Sequence, residues 1–193
     1  MNKNALIIFV RNPILGKVKT RLAATIGDEK ALQVYVHLLQ HTKSITENVP
    51  ATKFVFYADD INDNDIWNAY QKKLQNGNDL GERMQNAFEE VFTLGYKNVC
   101  IIGSDCYELT QEIIDNAFED LVSKDAVIGG ANDGGYYLLG MNQLINDIFT
   151  SIEWSTTTVF NKTIALIEKQ NLLYSKLPFL NDVDEEKDIT FTY

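Results

Sequence analysis

The sequence predicts an α/β protein, a three-layer α/β/α sandwich around a mostly parallel sheet. Three observations point there. Short, partly β-branched apolar runs recur along the chain, amphipathic stretches of helical length separate them, and the opening order of strand, loop and helix is that of a βαβ unit. Residues 5–10 (ALIIFV) form an apolar run closed by Arg11, which reads as a fully buried strand. A loop follows through Pro13 and Gly16 to Lys19. Over 28–47 the apolar positions Ala31, Leu32, Tyr35, Val36, Leu38, Leu39 and Ile45 are spaced by three and four, predicting a helix after the Gly27-Asp28 start signal.

Residues 54–58 give a second strand, and the acidic, Asn-rich stretch 59–65 a loop. A further loop, 75–79, places Asp79 to cap a helix over 80–94 that ends at Gly95. Residues 99–102 are the next buried strand, and Thr110 can cap a helix over 111–122. Residues 126–129 and 136–139 are strand-like about an Asp133-Gly134-Gly135 turn, a strong hairpin signal. A last helix runs from Thr156 or Thr157 to about Gln170, and a short strand over 172–175 precedes an acidic tail.

At 193 residues the chain suits one domain, 1–193, with 45% hydrophobic and 23% charged residues, an ordinary globular composition. The first apolar run is too short for a membrane span or a signal-peptide core, so a cytoplasmic protein with no membrane partner is expected. Cys100 and Cys106 fit neither a disulfide framework nor a zinc signature.

Lys plus Arg number 17 against 27 Asp plus Glu, a net charge of −10 that argues against a nucleic-acid partner. The charge is unevenly spread. Residues 1–27 hold Lys3, Arg11, Lys17, Lys19 and Arg21 and no acid, so that segment is +5 and the remainder −15. A basic loop on an acidic body suits a small polyanion such as a nucleotide phosphate, with a metal offsetting nearby carboxylates.

In open α/β sheets ligands bind outside the carboxyl ends of the strands, which singles out three loops. The first, residues 11–21, joins cations to Gly16, whose backbone can approach an anion closely, but it has neither P-loop nor GxGxxG spacing. The second, Gly103-Ser104-Asp105, puts a carboxylate at a strand end, where it can hold Mg²⁺ or Mn²⁺. The third is the 133–135 turn, which can present Asp133. The tail 182–186 offers further carboxylates. His37 and His41, four apart on a helix, could share a face as metal ligands; with no HExxH and no third ligand, packing is the better reading. Trp154, Tyr136 and Tyr137 suit stacking on a base or sugar and core packing about equally. Ser104 lacks the GxSxG elbow of a nucleophile.

An ordered set of segments carries a family resemblance: Phe9-Val10-Arg11-Asn12-Pro13 with Gly16-Lys17-Val18-Lys19-Thr20-Arg21-Leu22, Gln75 with Gly77 and Asp79-Leu80-Gly81-Glu82-Arg83-Met84, Ile102-Gly103-Ser104-Asp105-Cys106, Asp133-Gly134-Gly135-Tyr136-Tyr137-Leu138-Leu139-Gly140, Trp154-Ser155-Thr156 and Asp182-Val183-Asp184. The chain resembles the bacterial glycosyltransferase-like family of the nucleotide-diphospho-sugar transferase superfamily, with the GT-A fold, related to the 2-phospho-lactate guanylyltransferases. Tyr107 and Gly130 stand where that family usually or often has proline.

The resemblance implies a metal-dependent transferase using a nucleotide or nucleotide-sugar donor and a small-molecule acceptor. Glycosyl transfer from a nucleoside-diphosphate sugar is the first expectation. The alternative is nucleotidyl transfer to a phosphorylated small molecule with release of pyrophosphate. Arg11, Gly16, Lys17, Lys19 and Arg21 would bind phosphate, with Gln75, Asp79 and Arg83 near the nucleotide. Asp105 would be the main ligand of Mg²⁺ or Mn²⁺, joined by Asp133 and Asp184. Asp105, Asp133 and Lys17 would be catalytic, Asp133 orienting or deprotonating the acceptor. Monomer and homodimer both stay open.

Overall fold

The computed structural model describes residues 3–193. Its strands are β1 (Asn4–Val10), β2 (Thr52–Tyr57), β3 (Gln71–Leu74), β4 (Asn98–Ile102), β5 (Ala126–Ala131), β6 (Tyr136–Met141) and β7 (Tyr174–Leu180). The helices are α1 (Thr20–Ile26), α2 (Asp28–Glu47), α3 (Leu80–Thr93), α4 (Gln111–Asp120), α5 (Asp147–Thr150) and α6 (Val159–Lys169), with a 3-10 turn at Glu186–Asp188.

One seven-stranded sheet runs in the order β3-β2-β1-β4-β6-β5-β7. Pairings β1/β2, β1/β4, β2/β3 and β5/β7 are parallel, while β6 lies antiparallel between β4 and β5. The expected mostly parallel α/β sheet is therefore present. Strand alternation divides the core into two layers. Leu6, Ile8 and Val10 join Val55, Cys100 and Ile102 beneath α2 and α4, whereas Ala5 and Ile7 join Phe54, Phe56, Val99 and Ile101 beneath α3 and α6. Each large apolar side chain so buried contributes about 1.5–3 kcal/mol. A third, smaller cluster packs Leu22 of α1, Ala31, Val34 and Leu38 of α2, and Val183 of the tail.

The predicted caps form. Asp79 accepts from Glu82 N at 2.9 Å to start α3, and Thr110 accepts from Ile113 N at 3.3 Å to start α4. The last helix begins at Val159, later than expected, because residues 156–158 form a turn, in which the Thr156 and Thr158 hydroxyls lie 2.9 Å apart, before the helix starts. The last strand is longer than 172–175, since the sheet accommodates Pro178 on its outermost strand. Helices α1 and α5 and the polar edge strand β3 were not foreseen.

This topology gathers one end of the sheet. Strands β1, β4, β5 and β7 all point the same way, so the loop after β1, the loop after β4, the β5–β6 turn and the tail after β7 emerge together. The strand order reverses between β1 and β4, the crevice where such sheets bind ligands.

Candidate active site

The loop after β1 is fastened at both ends. At its start, the Tyr35 hydroxyl of α2 accepts from Arg11 N at 2.9 Å, donates to Arg11 O at 3.1 Å, and lies 3.3 Å from Ser104 Oγ. Burial pushes the Tyr35 phenol above its ordinary pKa, so it remains a neutral bridge between the β1 and β4 loops. At its end, Val18 is buried in the core and Lys19 turns left-handed, φ 47° and ψ 46°, to enter α1. A non-glycine residue in that region stores about 1–2 kcal/mol. Gly16, at φ 73°, makes the turn between.

The turn drives Lys19 inward. Its side chain is only 7% exposed, and its Nζ lies 3.1 Å from Asp105 Oδ2 and 3.3 Å from Asp184 Oδ1. Burial alone would lower the Lys19 pKa; attraction to Asp105 and Asp184, with hydrogen bonds to both, outweighs it and holds the ammonium above its usual range. Arg21, on the first turn of α1 and largely exposed, reaches Asp184 Oδ2 at 3.4 Å.

The tail supplies a carboxylate that the site assignment from sequence left out. Asp182 Oδ1 is buried without a hydrogen-bond partner among the described residues. Burial, then repulsion from Asp105, Asp133 and Asp184, pushes the Asp182 carboxyl up to about 8, while Lys19 opposes the rise. The available signal was its position in Asp182-Val183-Asp184, directly after a strand. Val183 N donates to Asp105 O at 2.9 Å and fixes the tail against the β4 loop.

Asp133 sits on the neighbouring β5–β6 turn, its Oδ1 accepting from Gly135 N at 2.8 Å. Asn132 Nδ2 donates to Asn181 Oδ1 at 2.7 Å, tying that turn to the tail. Gln75 is drawn to the end of β1, donating to Val10 O at 3.3 Å and Phe56 O at 3.0 Å. Arg83 Nε donates to Gly77 O at 3.1 Å, and Asp79 serves as the α3 cap. Arg11 and Lys17 are exposed and have no ion pair among the described residues. Lys19, Arg21, Asp105 and Asp184 are thus in direct contact, Asp133 is linked through the turn, and Gln75 reaches the end of β1. Asp79 and Arg83 lie at the start of α3, with no hydrogen bond or ion pair to the Lys19 cluster among the described residues.

Other candidates resolve into packing. His37 stacks on Phe191 at 4.9 Å and His41 lies 4.6 Å from Tyr107. Trp154 presses on Gly81, where a Cβ would collide with its indole, and donates to Phe149 O at 3.2 Å. Tyr137 is buried with its hydroxyl on Pro178 O at 2.9 Å. Cys106 is buried, and burial, then the Asp182 charge, raises its pKa, which leaves a thiol rather than a thiolate.

The donor chemistry fits a hard divalent cation: oxygen-only side chains, mutual repulsion among the aspartates, and an orphaned Asp182 oxygen. As arranged, Lys19 takes the place between Asp105 and Asp184, and no three His, Cys, Asp or Glu side chains among the described residues are grouped to hold a metal. No helix of the described residues is long and apolar enough to cross a membrane.

Residues 41–156 match the family described as "Uncharacterized protein conserved in bacteria (DUF2064)". A crystal structure from Desulfovibrio desulfuricans G20, described as a "putative nucleotide-diphospho-sugar transferase", is 34% identical with a TM-score of 0.90, covering 96% of this chain and 84% of that one. More distant likenesses concern the fold alone. They include the 4-diphosphocytidyl-2C-methyl-D-erythritol synthase of Anaerococcus prevotii DSM 20548 (TM-score 0.60, 13% identity, 96% and 92% of the two chains) and the inositol-1-phosphate CTP transferase of T. maritima (0.57, 10%, 96% and 91%). No curated protein matches. The chain belongs to this bacterial family and has the fold of the nucleotide-diphospho-sugar transferases.

Proposed function

We propose that residues 1–193 act as one nucleotide-binding transferase domain that takes a nucleotide-activated donor, dependent on Mg²⁺ or Mn²⁺. The reading put first is glycosyl transfer from a nucleoside-diphosphate sugar to a small acceptor. The observation that carries the nucleotide-transferase reading is the buried Lys19 ammonium held between Asp105 and Asp184 at the strand-end crevice, with Arg21 beside it. The description of the 34%-identical relative supports the same choice of donor.

Asp105, with Asp133 and Asp184, would hold the metal once Lys19 moved from between Asp105 and Asp184, with Asp182 Oδ1, unpartnered among the described residues, as a further donor. The metal when bound supplies charge neutralisation for a leaving diphosphate. Lys19, Arg21, Arg11 and Lys17 bind the phosphates, Lys19 from a largely buried position, Arg21 from the first turn of α1, and Arg11 and Lys17 from the exposed loop. Lys17 meets the leaving phosphate as it gains charge. Asp133 takes the proton of the acceptor hydroxyl through Oδ2, since Oδ1 is engaged by Gly135 N–H. The acceptor oxygen then bonds to the anomeric carbon as the bond from that carbon to the phosphate oxygen breaks, and nucleoside diphosphate leaves.

A second reading is nucleotidyl transfer, in which an acceptor phosphate attacks the α-phosphate of a nucleoside triphosphate and pyrophosphate leaves. It is favoured by the supply of cations: Arg11 and Lys17 have no ion pair among the described residues, capacity that suits a triphosphate at least as well. Phosphorus NMR of the protein with Mg²⁺, a panel of donors and a panel of small acceptors separates the readings. Nucleoside diphosphate as product supports glycosyl transfer and pyrophosphate the alternative. Donor binding without either product would make the chain a nucleotide-binding module.

A further inference from the structure

The tail that carries Asp182 and Asp184 has little regular structure of its own, only the short 3-10 turn at Glu186–Asp188. Besides the Asp184 ion pairs and Ile189, two places hold it to the body. One is Val183, whose side chain is buried beside Leu22 and Leu38 and whose N–H bonds Asp105 O. The other lies seven residues beyond Asp184. There the Phe191 ring is stacked on Tyr107 at 4.0 Å and 29° and on His37 at 4.9 Å and 11°. His41 closes the group, 4.6 Å from Tyr107, with its Nε2 3.0 Å from Leu109 O.

These rings join the three segments whose relative placement defines the site. Tyr107 stands two residues after Asp105, Phe191 belongs to the tail, and His37 lies on α2, the helix whose Tyr35 fixes the β1 loop. Between these anchors the Asp184 side chain pairs with Lys19 and Arg21 at 3.3 and 3.4 Å and Ile189 packs on the Leu22 cluster, while the backbone donors Asp184 N and Glu185 N bond locally to Asp188 Oδ2 at 3.1 and 2.8 Å. The local bonds fold the segment on itself without fastening it to the sheet. Without Phe191 the chain after Val183 would rest on Ile189 and on the partly exposed Asp184 ion pairs, which solvent weakens, and Asp184 would be held less firmly at Lys19.

We propose that the His37–Phe191–Tyr107 stack is a clamp that positions the carboxylates of the tail, with Phe191 as a positioning residue for Asp184. What those carboxylates act on rests on the transferase reading above; that the clamp places them does not. Aromatic stacks add to stability beyond the area they bury, and a segment with little regular structure is where such a contact decides between order and local opening.

Hydrogen exchange by NMR on the full chain, without any ligand, tests the clamp in Phe191→Ala, in Phe191→Tyr, and in His37→Leu as a second route to the same loss. Phe191→Ala and His37→Leu should speed exchange at Val183, Asp184 and Glu185 by about tenfold or more while the β1 and β4 amides stay protected, and Phe191→Tyr should restore the slow rates. Unchanged exchange at those three amides in Phe191→Ala overturns the clamp. A companion measurement follows thermal stabilisation by MnCl₂ with CTP, GTP or UDP-glucose. Loss in Phe191→Ala and recovery in Phe191→Tyr supports positioning, and full stabilisation despite a loosened tail overturns it. If no donor stabilises the wild type while the exchange result holds, the transferase reading falls and the clamp stands.

Discussion

Lys19 Nζ meets Asp105 Oδ2 at 3.1 Å across 86 residues of chain, joining the loop after β1 to the loop after β4. The pair is unequally solvated, with the lysine side chain 7% exposed and the aspartate 40%, so the ammonium depends more on the contact than the carboxylate does. Replacing the lysine would leave Asp105, Asp182 and Asp184 repelling one another. Lys19→Met should lower stability by about 1–3 kcal/mol, the cost of breaking a buried pair discounted for the solvent reaching the aspartates. It should also abolish donor binding. Urea unfolding and donor titration of the same variant check the two halves.

Asp182 gives a pH dependence. Its carboxyl is raised from 3.8 to about 8 by burial and by the neighbouring aspartates, so the folded state binds this proton more tightly than the unfolded state. The resulting stabilisation is complete below pH 3.8 and is lost as pH rises toward 8. Asp182→Asn removes that loss. Its melting temperature, compared with wild type, should therefore become more favourable from pH 5 to pH 8.5, and parallel melting curves at all pH values would contradict the assignment.

The Tyr35 hydroxyl bridges Arg11 and Ser104. Tyr35→Phe keeps the ring in the core and leaves the Arg11 N–H and Ser104 hydroxyl short of a partner, which should cost about 1–3 kcal/mol. The variant should bind donor more weakly because the β1 loop loses its fastening. Denaturant midpoints and donor titration check both effects.

Gly134 has a φ of 94°, and a Cβ there would collide with the Thr157 backbone. Gly134→Ala must shift either the β5–β6 turn or the chain entering α6, at a cost of about 2 kcal/mol or more. A melting temperature equal to wild type would show that the turn is looser than its geometry indicates.

Where the sequence was legible, the physics was local. Helix α2 was readable over its full length from its apolar spacing, and α3 and α4 from Asp79 and Thr110, because capping and amphipathicity act over a few residues. Strand β7 was only half visible because its stability comes from pairing with β5, and Pro178 disguised a strand that only an outer position tolerates. Strand β3, with the polar sequence QKKL, carries no apolar signal. In the site, Asp105 stood out as a carboxylate at a strand end, and Asp184 entered only through the family resemblance. The inward turn of Lys19 did not stand out, since lysines at 17 and 19 look alike until one takes a left-handed φ and becomes buried. Asp182 likewise reads as part of an acidic tail until Val183 pins that tail against Asp105.

The most direct measurement is thermal unfolding of wild type and Asp105→Asn against nucleoside triphosphates, diphosphates and nucleotide sugars, with and without Mg²⁺ or Mn²⁺. A donor at about 100 times its Kd should add about 2.7 kcal/mol, several degrees in a chain of this size. The site described here predicts a metal-dependent shift in wild type that Asp105→Asn abolishes. No shift with any nucleotide, or an equal shift in both proteins, would contradict it.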